Sequence, residues 1–131
     1  MSDTTWIRSY GSKRVYVNNT IRANAFEYSS DENLKTNITD LSNSEDILKV
    51  SPKVFDWKES KNQNNPKGDI GIIAQDVEKY FPQFVSQDPE TGNKMVDYPK
   101  LVVPLIGTVK KQQEEIDNLQ AQIDEIKELI K

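Results

Sequence analysis

Between residues 102 and 130 the chain sets apolar residues alternately three and four positions apart: Val102, Leu105, Val109, Ile116, Leu119, Ile123, Ile126 and Ile130. Gln112 is the one polar residue on that line. An alternation of three and four places these side chains along a narrow seam of an α-helix, and a seam kept over four heptads is what helices wound around one another require. The alternative is one amphipathic helix lying on its own domain, which would call for a broader apolar face. From Lys110 onward the other positions are almost all charged or amide, so a C-terminal coiled coil is expected. With Val102 at position a, Ile116 and Leu119 make a pair suited to two strands, whereas Ile123 and Ile126 suit three. The heptads leave the number of chains open.

Composition agrees with a chain that associates. At 131 residues there is room for one domain of ordinary size, yet hydrophobic residues make up only 35% and charged residues 29%, so a monomer would bury a small core. No 18-residue apolar run is present, and Met1 to Asp3 lead into a polar segment rather than into a basic and then an apolar one. The chain is expected neither to span a membrane nor to carry a secretory leader. There is no cysteine and no histidine, which removes disulfides, thiol nucleophiles, thiolate metal sites and the commonest general base. Acid–base chemistry is left to carboxylates, lysine and tyrosine. The net charge of -4, with basic residues scattered among acids, gives no footprint for nucleic acid.

Ahead of the seam the pattern is mixed, and the expected class is α+β, a small body of short strands and helices. "WIRSYGSKRVYVNNTIRANAF", residues 6–26, alternates in short runs broken by Gly11 and Asn18-Asn19, and is read as extended strands and turns at the tail of something longer. "SNSEDILKVSP" places Ser42 three residues before Glu45, a capping-box pattern, with Pro52 soon after; a helix of about two turns is expected. "KVFDWK" reads as a strand whose Phe55 and Trp57 belong to the core, and "NQNNPKG" as a loop. "DIGIIAQDVEKYFPQFV" reads as a buried strand to Ala74 and a short helix ending before Pro82, with Gln75 or Asp76 as a cap or a polar contact. "PETG" marks the turn of a hairpin. Gly68 and Gly71 lack the spacing of a phosphate loop. The acids Glu114, Glu115, Asp117, Asp124, Glu125 and Glu128 read as a solvated coil face without metal-ligand spacing. No cofactor and no metal are expected.

One stretch suggests chemistry. In "EYSSDENLKTNI", residues 27–38, Ser30 stands five residues before Lys35. A serine hydroxyl is a weak nucleophile until a base takes its proton, and without histidine the nearest nitrogen base is Lys35. A lysine with an ordinary pKa of about 10.4 must give up about 4.6 kcal/mol to be neutral at pH 7, unless burial lowers that value. Leu34 and Ile38 flank Lys35 and are compatible with such burial. The plain alternative is a solvated turn in which Asp31 caps a short helix.

Four blocks in order, "SSDENLKTNI", "VSPKVFDWK", "GIIAQDVEKYFPQFV" and "VDYPKLVVPLIGTVKKQQEEI", resemble the self-cleaving intramolecular chaperone domain at the C-terminus of phage tailspikes, endosialidases and neck appendages. The resemblance spans about residues 26–120. It implies a homotrimer that holds three chain ends while a triple β-helix winds upstream, with its own upstream segment as client and substrate, and no nucleic-acid or membrane partner. It further implies release through a serine–lysine dyad in the host cytoplasm during virion assembly. The family's serine, the aspartate after it and the lysine at the fifth position fall on Ser30, Asp31 and Lys35. The implied division is 1–29 as the end of the fibre, 30–103 as the chaperone body and 104–131 as the coiled coil. Attack by Ser30 on the carbonyl before it would cut between Ser29 and Ser30; a neighbouring chain's serine could instead cut between Ser30 and Asp31. Oxyanion donors would be backbone amides or a side chain such as Asn37. Tethering the scissile bond beside its nucleophile can be worth on the order of 7 to 11 kcal/mol, so no substrate pocket is needed. A hydrolase acting on other molecules is disfavoured for want of a pocket-forming loop, and a trimerisation cap that never cleaves is the rival reading.

Overall fold

Among the described residues, 14–17, 20–58 and 67–131, the buried hydrophobic side chains are Ile47, Val77, Phe81 and Phe84. In this computed structural model they form the core of the second of two units, Met1–Ile38 and Thr39–Lys131.

Among its described residues the first unit contributes one short element, a 3-10 turn at Glu32–Leu34. The strands expected over residues 6–26 lie partly outside the described residues. Where the backbone is described, at 14–17 and 20–26, no strand forms. The alternation is present, but a strand needs a hydrogen-bonded neighbour. Val15, Val17, Ile21 and Phe26 are accordingly exposed.

The second unit is α+β, as expected. A 3-10 helix, Ser44–Lys49, precedes strand β1, Lys53–Phe55, which pairs antiparallel with β2, Asp69–Gly71, in the register Val54↔Ile70. Helix α1, Ala74–Glu78, carries Val77 inward. Phe81 N–H still reaches the Val77 carbonyl at 2.8 Å, but Pro82 opens a new 3-10 turn, Pro82–Phe84, so the helix stops there. The rings of Phe81 and Phe84 stack with centroids 5.2 Å apart. Strands β3, Val85–Gln87, and β4, Lys94–Val96, form the expected hairpin, whose turn places Gly92 at φ 73. Lys94 Nζ donates to both carboxylate oxygens of Glu78, at 2.6 and 2.7 Å, and ties the hairpin to α1.

Three expectations need correction. The first helix does not use a capping box: Asn43 is its N-cap, and Glu45 does not fold back because its carboxylate is held by Lys111 Nζ at 2.7 Å. The stretch to Ala74 is not a buried strand. β2 ends at Gly71, Ile70 is 75% exposed, and no second layer covers it. Trp57 is not core either. Being 53% exposed, it meets Phe55 edge-on and donates its indole N–H to Asp69 at 2.8 Å. A two-stranded sheet three residues long offers no underside on which two rings could be buried.

Helix α2 runs from Val102 to Leu129. Its first turns present Pro104, Gly107, Thr108 and Lys111, spaced three, four and seven apart, to the Ser44–Lys49 helix. Pro104 and Thr108 are buried, and Thr108 Oγ1 donates to the Ser44 carbonyl at 3.0 Å. Glu45 accepts from Lys111 and holds that ammonium above its ordinary 10.5. The pair's contribution is therefore present below that value and is lost as pH rises through the raised one. Gly107 lies so close that a Cβ there would sit 2.6 Å from Ser44 Cβ. Every residue of the seam faces water, from 46% exposure at Leu105 and Ile123 to 77% at Ile130.

Gly107→Ala is expected to destabilise the chain by about 1–3 kcal/mol in urea unfolding, because the methyl must displace Ser44. The same change on a free helical face would stabilise by up to about 1 kcal/mol, so the sign of the effect reports this contact.

Candidate active site

Ser30 and Lys35 stand on either side of the 3-10 turn Glu32–Leu34, and the turn brings them together. Asp31 is the N-cap: its backbone is extended (φ -60, ψ 134) and its carboxylate accepts from the Asn33 N–H at 2.8 Å. Leu34 N–H donates to the Asp31 carbonyl at 3.1 Å and Lys35 N–H to the Glu32 carbonyl at 3.0 Å. Aspartate suits this place because its short side chain satisfies an amide that the turn leaves free. Folding the intervening residues leaves Lys35 Nζ 2.8 Å from Ser30 Oγ. The capped turn that served as the plain alternative thus builds the contact that the chemical reading needs.

The contact is drawn with the amine donating to the hydroxyl oxygen. General-base catalysis needs the opposite direction, with a neutral amine accepting the hydroxyl proton. The same separation serves both. Water competes for the pair, because all residues from 20 to 40 are exposed. Leu34 and Ile38, the apolar neighbours expected to dry Lys35, are themselves 72% and 63% exposed. Ser29, Ser30 and Asp31, the residues around the anticipated scissile bond, lie open on the approach to the turn.

Asn37 carries a backbone feature that residue types alone did not reveal. It is at φ 52, in the left-handed region that asparagine tolerates better than most residues. The other candidates have local partners. Asp76 pairs with Lys79 at 3.3 Å in the first turn of α1, whose N-cap is Ile73, so neither Gln75 nor Asp76 caps it. Gly68, at φ 67, donates its N–H to Asp56 at 2.7 Å in a turn. On α2, Asp117 and Asp124 accept from Gln113 and Gln120 within their own helix, each at 2.9 Å. Among the described residues no group of three or more histidines, cysteines or carboxylates could hold a metal ion, and no helix is long and apolar enough to cross a membrane.

Residues 30–86 match the family model Peptidase_S74, described as Chaperone of endosialidase. The matched stretch opens on Ser30 itself and runs through Lys35 to the middle of β3, somewhat less than half of the chain. It bears out the resemblance over the first three sequence blocks; the fourth, residues 96–116, lies beyond the match. No curated protein matches the chain.

Asp31→Ala should free the Asn33 amide and speed its hydrogen exchange, with a loss of about 0.5–2 kcal/mol in the local turn. Asp31→Asn should keep most of the protection. An Asn33 amide that exchanged equally fast in all three proteins would show that the cap does not organise the turn.

Proposed function

With residues 30–86 matching a chaperone-of-endosialidase family, we propose that the chain is an intramolecular chaperone which trimerises through the α2 seam, assists folding of an upstream phage-fibre segment and then releases itself next to Ser30. The observation that carries the proteolytic part is the 2.8 Å contact between Lys35 Nζ and Ser30 Oγ, at the first residue of the matched stretch.

The step runs as an acyl shift. Ser30 Oγ attacks the carbonyl carbon of Ser29 while its proton passes to neutral Lys35. The tetrahedral intermediate collapses with loss of the Ser30 nitrogen, which takes a proton back from the lysine as it becomes an amine. Ser29 is left as an ester on Ser30 Oγ, and water then hydrolyses it to a Ser29 carboxylate and the free hydroxyl. No bound substrate is required, since the scissile bond is covalently beside its nucleophile. What a single chain does not supply is dryness at Lys35. We assign that to assembly: three chains brought together by the seam enclose the pair, and cleavage waits for them.

The rival, a trimerisation cap that does not cleave, draws its support from the exposure of the same pair. The two readings part at one hydroxyl. Freshly expressed chain carrying its upstream segment should show two masses that meet between Ser29 and Ser30, while Ser30→Ala and Lys35→Ala give one uncut mass. Ser29→Ala should still cut. Lys35→Arg should not, because a guanidinium stays protonated over the usable range. The rate should rise with pH, because the base in this step must be neutral, and then level off. Undiminished cutting by Lys35→Ala would remove the dyad from the account.

A further inference from the structure

The head of α2 is apolar on more sides than a coil seam requires. Pro104, Gly107, Thr108 and Lys111 are committed to the Ser44–Lys49 helix, and Val102, Leu105 and Val109 lie on the seam. Ile106 belongs to neither face. It is 56% exposed, at the wall of an open groove shared with Leu41, Ser44 and Lys110. With Val102 at heptad position a, Ile106 falls at e and Leu101 at the g before it. In parallel coils the g residue of one helix flanks the e residue five positions on in its neighbour, and these two positions decide which chains pair and how. Leu101 and Ile106 are five apart. The corresponding pairs below them, Thr108 with Gln113, Glu115 with Gln120 and Gln122 with Lys127, are all polar. The apolar flank exists at the head alone.

We infer that Ile106 of one chain packs on Leu101 of a second copy in parallel register, so that the assembly closes at its head through this flank as well as through the seam. The inference rests on the trimer proposed above. Leu101 is half-buried and already packs against the Ile47, Val77, Phe81 and Phe84 cluster of its own chain. A neighbour's Ile106 would cover its remaining surface and extend each small core into the next chain. That supplies apolar burial which a core of four side chains lacks, and it occupies a face that a solitary helix would leave in water.

The chain contains no cysteine, so introduced thiols are the only ones present. In a Ser30→Ala background, which keeps chains full-length, Leu101→Cys with Ile106→Cys is treated with a short bis-maleimide and run on a denaturing gel beside sedimentation of the same sample. Glu115→Cys with Gln120→Cys serves as a control for parallel register. The expected result is a trimer in which both pairs give bands at two and three times the chain mass, while either thiol of the head pair alone gives none. A trimer whose control pair cross-links but whose head pair does not overturns the inference and leaves the trimer standing. A monomeric parent chain overturns the trimer reading and the inference with it. Cross-linking by Ile106→Cys alone would show that like flanks meet, which also overturns it. Should Leu101→Cys fail to fold, alkylation of the Ile106→Cys single variant decides. It should be about tenfold or more slower in the assembled protein than after Ile116→Lys with Ile123→Lys, and equal rates overturn the inference.

Discussion

A helix of 28 residues that gives one face of its first turns to its own body and leaves an apolar seam, broken only at Gln112, in water sets the terms for everything else in this chain. Among the described residues, the body's buried hydrophobic core is one cluster of four side chains, and its two sheets are each two strands of three residues. What fixes α2 to that body is close approach rather than bulk: Gly107 against Ser44, Thr108 on the Ser44 carbonyl, Lys111 on Glu45. These contacts orient the helix about its axis. The seam is thereby turned away from the chain's own core and left in water.

The same economy runs through the candidate site. A single 3-10 turn, held by one aspartate cap, is enough to set a hydroxyl and an amine 2.8 Å apart. Turning an amine into a base needs a lysine kept from water, and residues 20–40 are all exposed. Proximity and activation are thus separate in this chain. Proximity is local and present in one copy, while activation is assigned to the assembly. On the proposed function, a chaperone that cut before its client was gathered would release it too soon, and a base that forms only on assembly would guard against that.

Much of this was legible from residue order. The heptads gave α2, the "PETG" turn gave the β3–β4 hairpin, and Pro82 gave the end of α1, because each rests on a local rule that tertiary context did not override. The spacing of Ser30, Asp31 and Lys35 gave the candidate site for the same reason: its geometry depends on one turn. What was not legible depends on distant partners. Ser42 and Glu45 match a capping box, but Lys111, far along the chain, takes the glutamate. Phe55, Trp57 and the stretch Gly71 to Ala74 have the composition of core, but burial also needs a second layer, and the sheets are too small to provide one. Asn37's left-handed backbone leaves no mark in composition.

The central claim is that assembly turns a solvated hydrogen bond into a catalytic pair. A time course of self-cleavage at one pH, comparing the wild-type chain with Ile116→Lys and Ile123→Lys together, addresses it most directly, because those substitutions lie on α2 and leave Ser30, Asp31 and Lys35 as they are. Sedimentation of each sample fixes its state of association. The account predicts a trimer that cuts to completion and a folded monomer that cuts slowly or not at all. A monomer that cut as fast as the trimer would contradict it.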